Sequence, residues 1–475
     1  MPGRLRNQLS DMYSARPFQY SVEGRLRVPV RVASMSRISR WTTFVAAFLL
    51  AAFPHARLSV GALPIYIYDL LIVLGLYIVG RKTGPPSGRF GVLLVVYTAA
   101  YLCFLILSQV KEAFDIGFPV DSVYYGIRYG IAALSGIFFF SAFKSEVLKR
   151  IVLSGFAFGM ILNAVVAIAY SLPGFGWLRL FLLESSILFP GRTFTALDET
   201  GLADMVLRAK TFVGGSNVVA GWIVCCLPLA AYYFHSNSKT YRIYASIFVV
   251  IVGLLGSLFT YSRTAYIGIA LIIAYSLFER SGKFGRVTVS AIVILFIAWI
   301  SRPDIASNST MFDFVIGKFE GITSSERSYS DQARVATYTK AIPFVVENPE
   351  WVFFGSGLGA QRTASRNGIT GNFNTLRFES SETHAVWAAN IYFIGLCGSI
   401  AVTVMMLNLY FIFFIKLKSS FGDVIAYYRM VLIGIIPFYM FTHFFSDKVA
   451  GVAMLFAISG VGYSLSRTYG LALNK

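Results

Sequence analysis

The sequence predicts an all-α integral membrane protein of about twelve transmembrane helices. Both termini are expected on the cytoplasmic side, with a large external loop between the ninth and tenth helices. Three observations lead there. Hydrophobic residues make up 56% of the 475-residue chain and charged ones only 13%, with a mean hydropathy of +0.66. A soluble domain carries roughly 25% charged residues, so this apolar surplus cannot be hidden in one water-soluble core. Apolar segments of spanning length recur along the chain, and lysines and arginines fall on alternate sides of them. An ordinary cytosolic enzyme and a disordered chain are both excluded.

A hydrocarbon core of ~30 Å needs about 20 apolar residues per helix. Such segments run over 42–60, 62–80, 91–110, 126–143, 151–172, 217–234, 243–260, 261–278, 287–301, 385–415, 430–445 and 449–465. The seventh and eighth meet at Tyr261-Ser262-Arg263, which predicts a tight helical hairpin. The tenth is longer than one crossing needs, so it is expected to start as an interfacial piece and bend near Gly395 or Gly398. The four cysteines, Cys103, Cys225, Cys226 and Cys397, all lie in apolar runs, which indicates neither a disulfide framework nor a cysteine metal site.

Orientation follows from the basic residues. With the N-terminus inside, the inside pieces are 1–41, 81–90, 144–150, 235–242, 279–286, 416–429 and 466–475. They hold 24 basic and five acidic residues, against 17 basic and 18 acidic elsewhere. The net charge of +18 is therefore topological and calls for no nucleic acid. The first 40 residues carry eight arginines and no lysine. They read either as a cytoplasmic tail drawn to anionic lipid or as sequence ahead of a start at Met35. The domain plan is a basic tail over 1–41, helices one to nine over 42–301 with an external loop at 173–216, a large external loop over 302–384, and helices ten to twelve with a short tail over 385–475.

A connector as long as 302–384 is usually functional. Residues 332–342 read as a local helix ending before Pro343, and Phe354-Gly355-Ser356-Gly357-Leu358-Gly359 reads as a turn. It lacks the following helix and acidic residue of a dinucleotide fingerprint. The spans themselves are almost free of charge, Asp69 and Arg128 being the main exceptions, each near a segment end. No repeat relates the halves, which argues against an ion-coupled transporter.

Among four histidines, His55, His235, His384 and His443, no metal-binding spacing occurs, and no cofactor is expected. His384, where the large loop meets the tenth span, could take a proton from a hydroxyl near neutral pH. The ordinary alternative is an interfacial histidine without a role. Arg263 at the seventh hairpin has a planar fork suited to phosphate, and otherwise reads as a snorkelling arginine. Arg334 on the loop helix and Arg208, with Lys210, before the sixth span could also face an anion. A base and several arginines at the outer boundary, without a metal, fit transfer from a lipid diphosphate. The arginines would stabilise the departing diphosphate and the histidine would activate an acceptor hydroxyl.

The same residues resemble the O-antigen ligase and polysaccharide polymerase family. Three places carry the likeness. Thr211-Phe212-Val213-Gly214-Gly215-Ser216-Asn217-Val218-Val219-Ala220 is similar to the family's G-x-F-x-x-x-N-x-x-A entry to a span. Thr260-Tyr261-Ser262-Arg263-Thr264-Ala265 is similar to its T-x-S-R-[GT]-A hairpin. In the loop, Arg334 with Tyr338, then Asn348-Pro349, the glycine-rich 354–359 and His384 follow the family's order. Where the family often has Asn after the histidine, this chain has Ala385. The likeness covers about 200–410 and, before that, topology only.

The resemblance implies a metal-independent, integral-membrane glycosyltransferase acting on the periplasmic face of the bacterial inner membrane. Its donor would be an undecaprenyl-diphosphate-linked glycan and its acceptor another glycan or a lipid A core, with a chain-length co-polymerase as a further partner. Carried over, Arg263, Arg334 and Arg208 would bind the diphosphate and His384 would help deprotonate the acceptor. Polymerase is favoured slightly over ligase. A lipid-linked sugar flippase is the reading from another class.

Overall fold

The structure is a computed structural model that describes residues 35–60, 63–116, 120–172, 211–213, 216–236, 240–260, 262–280, 343, 345–347, 349–355, 386–417, 424–442, 445 and 449–473. It is mostly helical. In chain order the elements are α1 (Arg37–Ala52), the strands β1 (Arg57–Val60) and β2 (Leu63–Tyr66), α2 (Ile67–Thr83), α3 (Gly88–Ile116), α4 (Val120–Phe143), α5 (Glu146–Ser171), α6 (Ser216–His235), α7 (Thr240–Leu258) and α8 (Arg263–Arg280). After a 3-10 turn at Pro349–Val352 come α9 (Val386–Tyr410), with a π-helical end at Phe411–Lys416, then α10 (Val424–Phe441) and α11 (Val449–Leu473). Six of the helical stretches are long and apolar enough to cross a membrane, and three shorter apolar helices lie within α7, α8 and α10. The expected ninth span, 287–301, lies outside the described residues, as does the basic tail before Met35.

The first two expected spans need correction. Arg57–Val60 and Leu63–Tyr66 are not helical; they pair as antiparallel strands in which Arg57 faces Tyr66 and Leu58 faces Ile65. Pro54 is the physical reason. It cannot donate a backbone hydrogen bond, and it keeps the preceding Phe53 out of helical geometry (φ −135°, ψ 55°). The chain leaves the helix there, and Ala56 accepts from the Ile67 amide at 3.1 Å to close the hairpin's base. The expected bend in the tenth span is present. Gly395 has φ 76° and ψ 170°, a left-handed conformation that suits glycine.

Helices surrounded by apolar medium gain little from hydrophobic exclusion, so they associate through close packing of small residues. Two such seams build this bundle. Gly155 and Gly159, four residues apart on α5, lie against Ala47 and Ala51 of α1; a Cβ at Gly159 would stand 2.4 Å from the Ala51 Cβ. Gly136 of α4 meets Gly460 of α11, where a Cβ would stand 2.1 Å from the Gly136 carbonyl oxygen. From the position next to Gly136, Ser135 donates to the Ala453 carbonyl of α11 at 2.8 Å. The apolar stretch of α11 is buried along its whole length, which makes it the central helix among the described elements.

At the end opposite the hairpin, Lys144 in the α4–α5 turn reaches the C-terminus of α2. Its Nζ donates to the carbonyls of Thr83, Gly84 and Pro85 at 3.4, 3.1 and 2.5 Å, groups that a helix end leaves unpaired. On the same side Arg429 of α10 ties off the π-helical end of α9. Its Nε donates to Phe413 O at 2.7 Å and its Nη2 to Leu417 O at 2.6 Å, while Nη1 holds Glu279 of α8 at 3.0 Å.

Two outcomes follow from this packing. Gly460→Leu should lower stability by ~1–3 kcal/mol through overpacking, read as a fall in thermal midpoint in detergent. Gly80→Ala, inside α2 and meeting nothing within 4 Å, should instead raise the midpoint slightly, by the ~0.5–1 kcal/mol that alanine gains over glycine in a helix. Burial, and then the neighbouring Arg467, push the Lys144 ammonium down from 10.5 to about 8. NMR of protein labelled with 13C and 15N at the lysine side chains, with the Lys144 signal assigned by its loss in Lys144→Met, should show that group titrating near this value; its titration above pH 10 would contradict it. The folded chain gives up this proton before the unfolded chain does, so this group makes stability rise as pH goes from about 8 to 10.5.

Candidate functional site

Contacts place four pieces on the helices around them: His55 beside the hairpin meets Val213 at the entry to α6, Gly256 before the α7–α8 turn packs on Ala164 of α5, and Gly355 ahead of α9 meets Ser108 in the last third of α3. A buried polar layer joins α1, α5 and α6. Asn163 of α5 donates to the Ala51 carbonyl at 2.6 Å, and the Trp222 indole of α6 donates to the Leu50 carbonyl at 2.7 Å. Gly256 of α7 packs on Ala164, the residue after Asn163. The last turn of α1 is thus bound to α5 and α6, and α5 in turn to α7, with its exposed carbonyls satisfied by side chains.

Above this layer, Thr211, Phe212 and Val213 are all buried. The Phe212 ring lies 4.5 Å from that of Phe53, and His55 Nε2 donates to the Val213 carbonyl at 3.2 Å. This contact uses a proton on Nε2 and makes His55 a fastener between the α1 end and the approach to α6. The hairpin between the seventh and eighth spans forms as expected. Thr260 Oγ1 donates to the Ser257 carbonyl at 2.6 Å and accepts from the Ser262 amide at 3.4 Å. The Ser262 carbonyl accepts from the amides of Ala265 and Tyr266 at 3.0 and 3.2 Å. The hydroxyls of Ser257 and Ser262 are buried there without a hydrogen-bond partner. Arg263 is the first residue of α8, so its backbone stands at a helix N-terminus, where the dipole favours anions.

The segment before α9 is bolted down by glycine. Gly355 donates its amide to Ser108 Oγ of α3 at 2.8 Å. Its backbone lies against Phe393 and Ile394 so closely that a Cβ would stand 2.2 Å from the Phe393 carbonyl carbon. Gly395 completes the fit, because the break it makes in α9 receives Phe353 and Phe354. Ser399 donates to the Trp387 carbonyl at 2.6 Å and so satisfies an acceptor that lies ahead of the break. Val345, Ala388, Ile391 and Tyr392 form an apolar cluster with Val352, Trp387 and Leu396. The turn expected over 354–359 thus begins as a backbone-to-backbone dock, a contact that only residues without a Cβ permit.

Of the four predicted site residues, His384, Arg334 and Arg208 lie outside the described residues, and the side chain of Arg263 does so as well. What is described is the scaffold on either side of them. His384 precedes the start of α9 by two positions, and Arg208 precedes the docked Thr211–Val213 by three. No group of three or more His, Cys, Asp or Glu able to hold a metal occurs among the described residues.

One charged pair was not paired by sequence reasoning. Arg128 Nε of α4 donates to Asp69 Oδ2 of α2 at 2.8 Å, with side chains 8% and 10% exposed. The Arg128 guanidinium carbon lies 3.2 Å from the ring centroid of Tyr66 on β2, and 5.8 Å from that of Tyr124. The available signal was the rarity of charge in these spans: one acid and one base of opposite sign, each near a segment end. Tyr66 could not be added because its segment was expected to be helical.

The fold defines the class of the molecule: a mostly helical membrane protein, with six described helices long and apolar enough to span a bilayer. No family model matches the chain, and no curated protein matches it significantly.

Gly355→Val should displace the 349–355 segment from α9, because the Phe393 backbone cannot yield. Hydrogen exchange should then accelerate in 349–355 and in 386–396 while the Gly136–Gly460 seam stays protected. Unchanged exchange in both segments would contradict the docking.

Proposed function

We propose that this protein is a membrane glycosyltransferase that transfers or polymerises glycan from an undecaprenyl-diphosphate-linked donor, without a metal, during O-antigen or exopolysaccharide biosynthesis. It would sit in the bacterial inner membrane with twelve spans and its site facing the periplasm. The observation that carries the reading is an ordered set of anchored motifs. The three sequence motifs that resemble the O-antigen ligase and polymerase family are spread over about 175 residues, and their described parts are each held by a neighbouring element, Val213 by His55, the approach to the α7–α8 turn by Ala164 and Gly355 by Ser108.

In this mechanism Arg263, Arg334 and Arg208 hold the donor diphosphate. Negative charge grows there as the glycosyl C1–O bond breaks, and guanidinium forks aimed at that charge lower the barrier. His384 takes the proton from the acceptor hydroxyl as its oxygen bonds to C1. The diphosphate leaves on the polyprenyl carrier, and the proton passes from histidine to solvent. The helix N-terminus at Arg263 adds a favourable dipole for the same anion. An acceptor that is another lipid-linked repeat makes the enzyme a polymerase, and a lipid A core makes it a ligase.

The test is transfer in a reconstituted system with EDTA present, supplied with undecaprenyl-diphosphate repeat units from the host strain. Wild type should lengthen the lipid-linked glycan. His384→Ala should slow it by about 10²–10⁴-fold, and Arg263→Ala or Arg334→Ala by about 10²–10³-fold, all in folded protein. Product formed only after lipid A core is added identifies a ligase. Unchanged donor in every reaction, with labelled lipid-linked sugar crossing the vesicle membrane, would replace the enzyme by a flippase.

A further inference from the structure

The Asp69–Arg128 pair is built unlike an ion pair whose only task is to hold two helices together. Arginine and carboxylate commonly meet fork to fork, with two parallel hydrogen bonds. Here Asp69 takes only the Nε edge, through one oxygen. The Tyr66 ring covers one face of the guanidinium at 3.2 Å. The group is therefore fixed in direction by two neighbours, while its Nη1 and Nη2, which carry four of its five N–H donors, bond to none of the described residues. Arg128 as a residue is 7% exposed, so a partner for these donors has to come to it.

Burying a charge costs several kcal/mol, and one hydrogen bond to a carboxylate offsets only part of that. An ionisable group within an apolar span calls for a use. Two Nη nitrogens in one plane, bonded to none of the described residues, match two oxygens of a phosphate. The surroundings say which kind of phosphate. Beside Arg128 on α4, Val123 and Ile127 are exposed; on α2, Leu70 and Val73 are exposed next to Asp69; and on the hairpin the facing pair Leu58 and Ile65 is exposed. A ligand reaching Arg128 between these faces meets apolar surface with its body and the guanidinium with its head.

We propose that Arg128, aimed by Asp69 and Tyr66, is a binding site for the phosphate of a lipid whose chains lie along α2 and α4. The site is separate from the predicted diphosphate arginines and does not rest on the glycan-transfer reading. Two lipids carry the required chemistry at a membrane boundary: an anionic bilayer phospholipid and a polyprenyl phosphate.

The experiment is native mass spectrometry of delipidated full-length protein titrated with phosphatidylglycerol, with undecaprenyl phosphate and with diacylglycerol, which has no phosphate. Wild type should bind one equivalent of a phosphate-bearing lipid in preference to diacylglycerol. The double variant Asp69→Asn/Arg128→Gln removes both charges, isosterically at 69 and with a shorter polar side chain at 128. It should weaken that binding by roughly tenfold, the loss expected for a charged hydrogen bond or two. Arg128→Lys, which keeps the charge and the partner but not the fork, should fall between them and serves if the double variant does not fold. Equal binding of the two phosphate lipids assigns the site to bulk lipid, and tighter undecaprenyl phosphate assigns it to a carrier lipid. Identical lipid binding by wild type and both variants, with thermal midpoints lowered in the variants, would overturn the proposal and leave the pair as a fastener of the hairpin.

Discussion

Everything described depends on how closely backbones approach where side chains are absent. In an apolar medium, helices do not separate themselves from solvent by packing, so contact energy between them comes from dispersion over short distances. The Gly136–Gly460 contact brings α4 and α11 together at the level where Ser135 reaches the Ala453 carbonyl. The Gly155 and Gly159 seam brings α1 to α5 at the level where Asn163 reaches Ala51. In both places one serine or asparagine crosses a gap that glycines or alanines have narrowed. The polar bond and the close approach require each other: without the small residues the acceptor is out of reach, and without the acceptor the polar group is buried unpaired.

The same constraint reaches from the bundle to the candidate site. Gly355 rests on the α9 backbone because neither partner presents a side chain there, and Gly395 turns the helix so that the dock has a floor. The segment leading to the predicted histidine is therefore held by main chain.

How much was legible in the sequence can be judged residue by residue. The bend in the tenth span was readable because an apolar run that long exceeds one crossing and contains Gly395. The seventh–eighth hairpin was readable from its polar turn. The β-hairpin was not, since Arg57–Tyr66 is apolar enough to continue a helical count, and its one warning, Pro54, sits before the run and outside it. The pairing of Asp69 with Arg128 depends on that hairpin and on a separation of 59 residues, which no local pattern encodes. The predicted site residues were legible only as an ordered set of weak motifs, because a long loop fixes its side chains by tertiary contacts rather than by periodicity.

The burial of α11 bears on how the protein comes to be made. Its apolar stretch touches neighbours along its full length, and its serine-mediated contact with α4 joins residues 318 positions apart. Chains emerge N-terminus first, so α4 enters the membrane long before the helix it is shaped to receive. Until then its row of small residues must face lipid or a temporary companion. An insertion chaperone that shelters α4 during this interval would act on assembly yield while leaving the finished bundle unchanged.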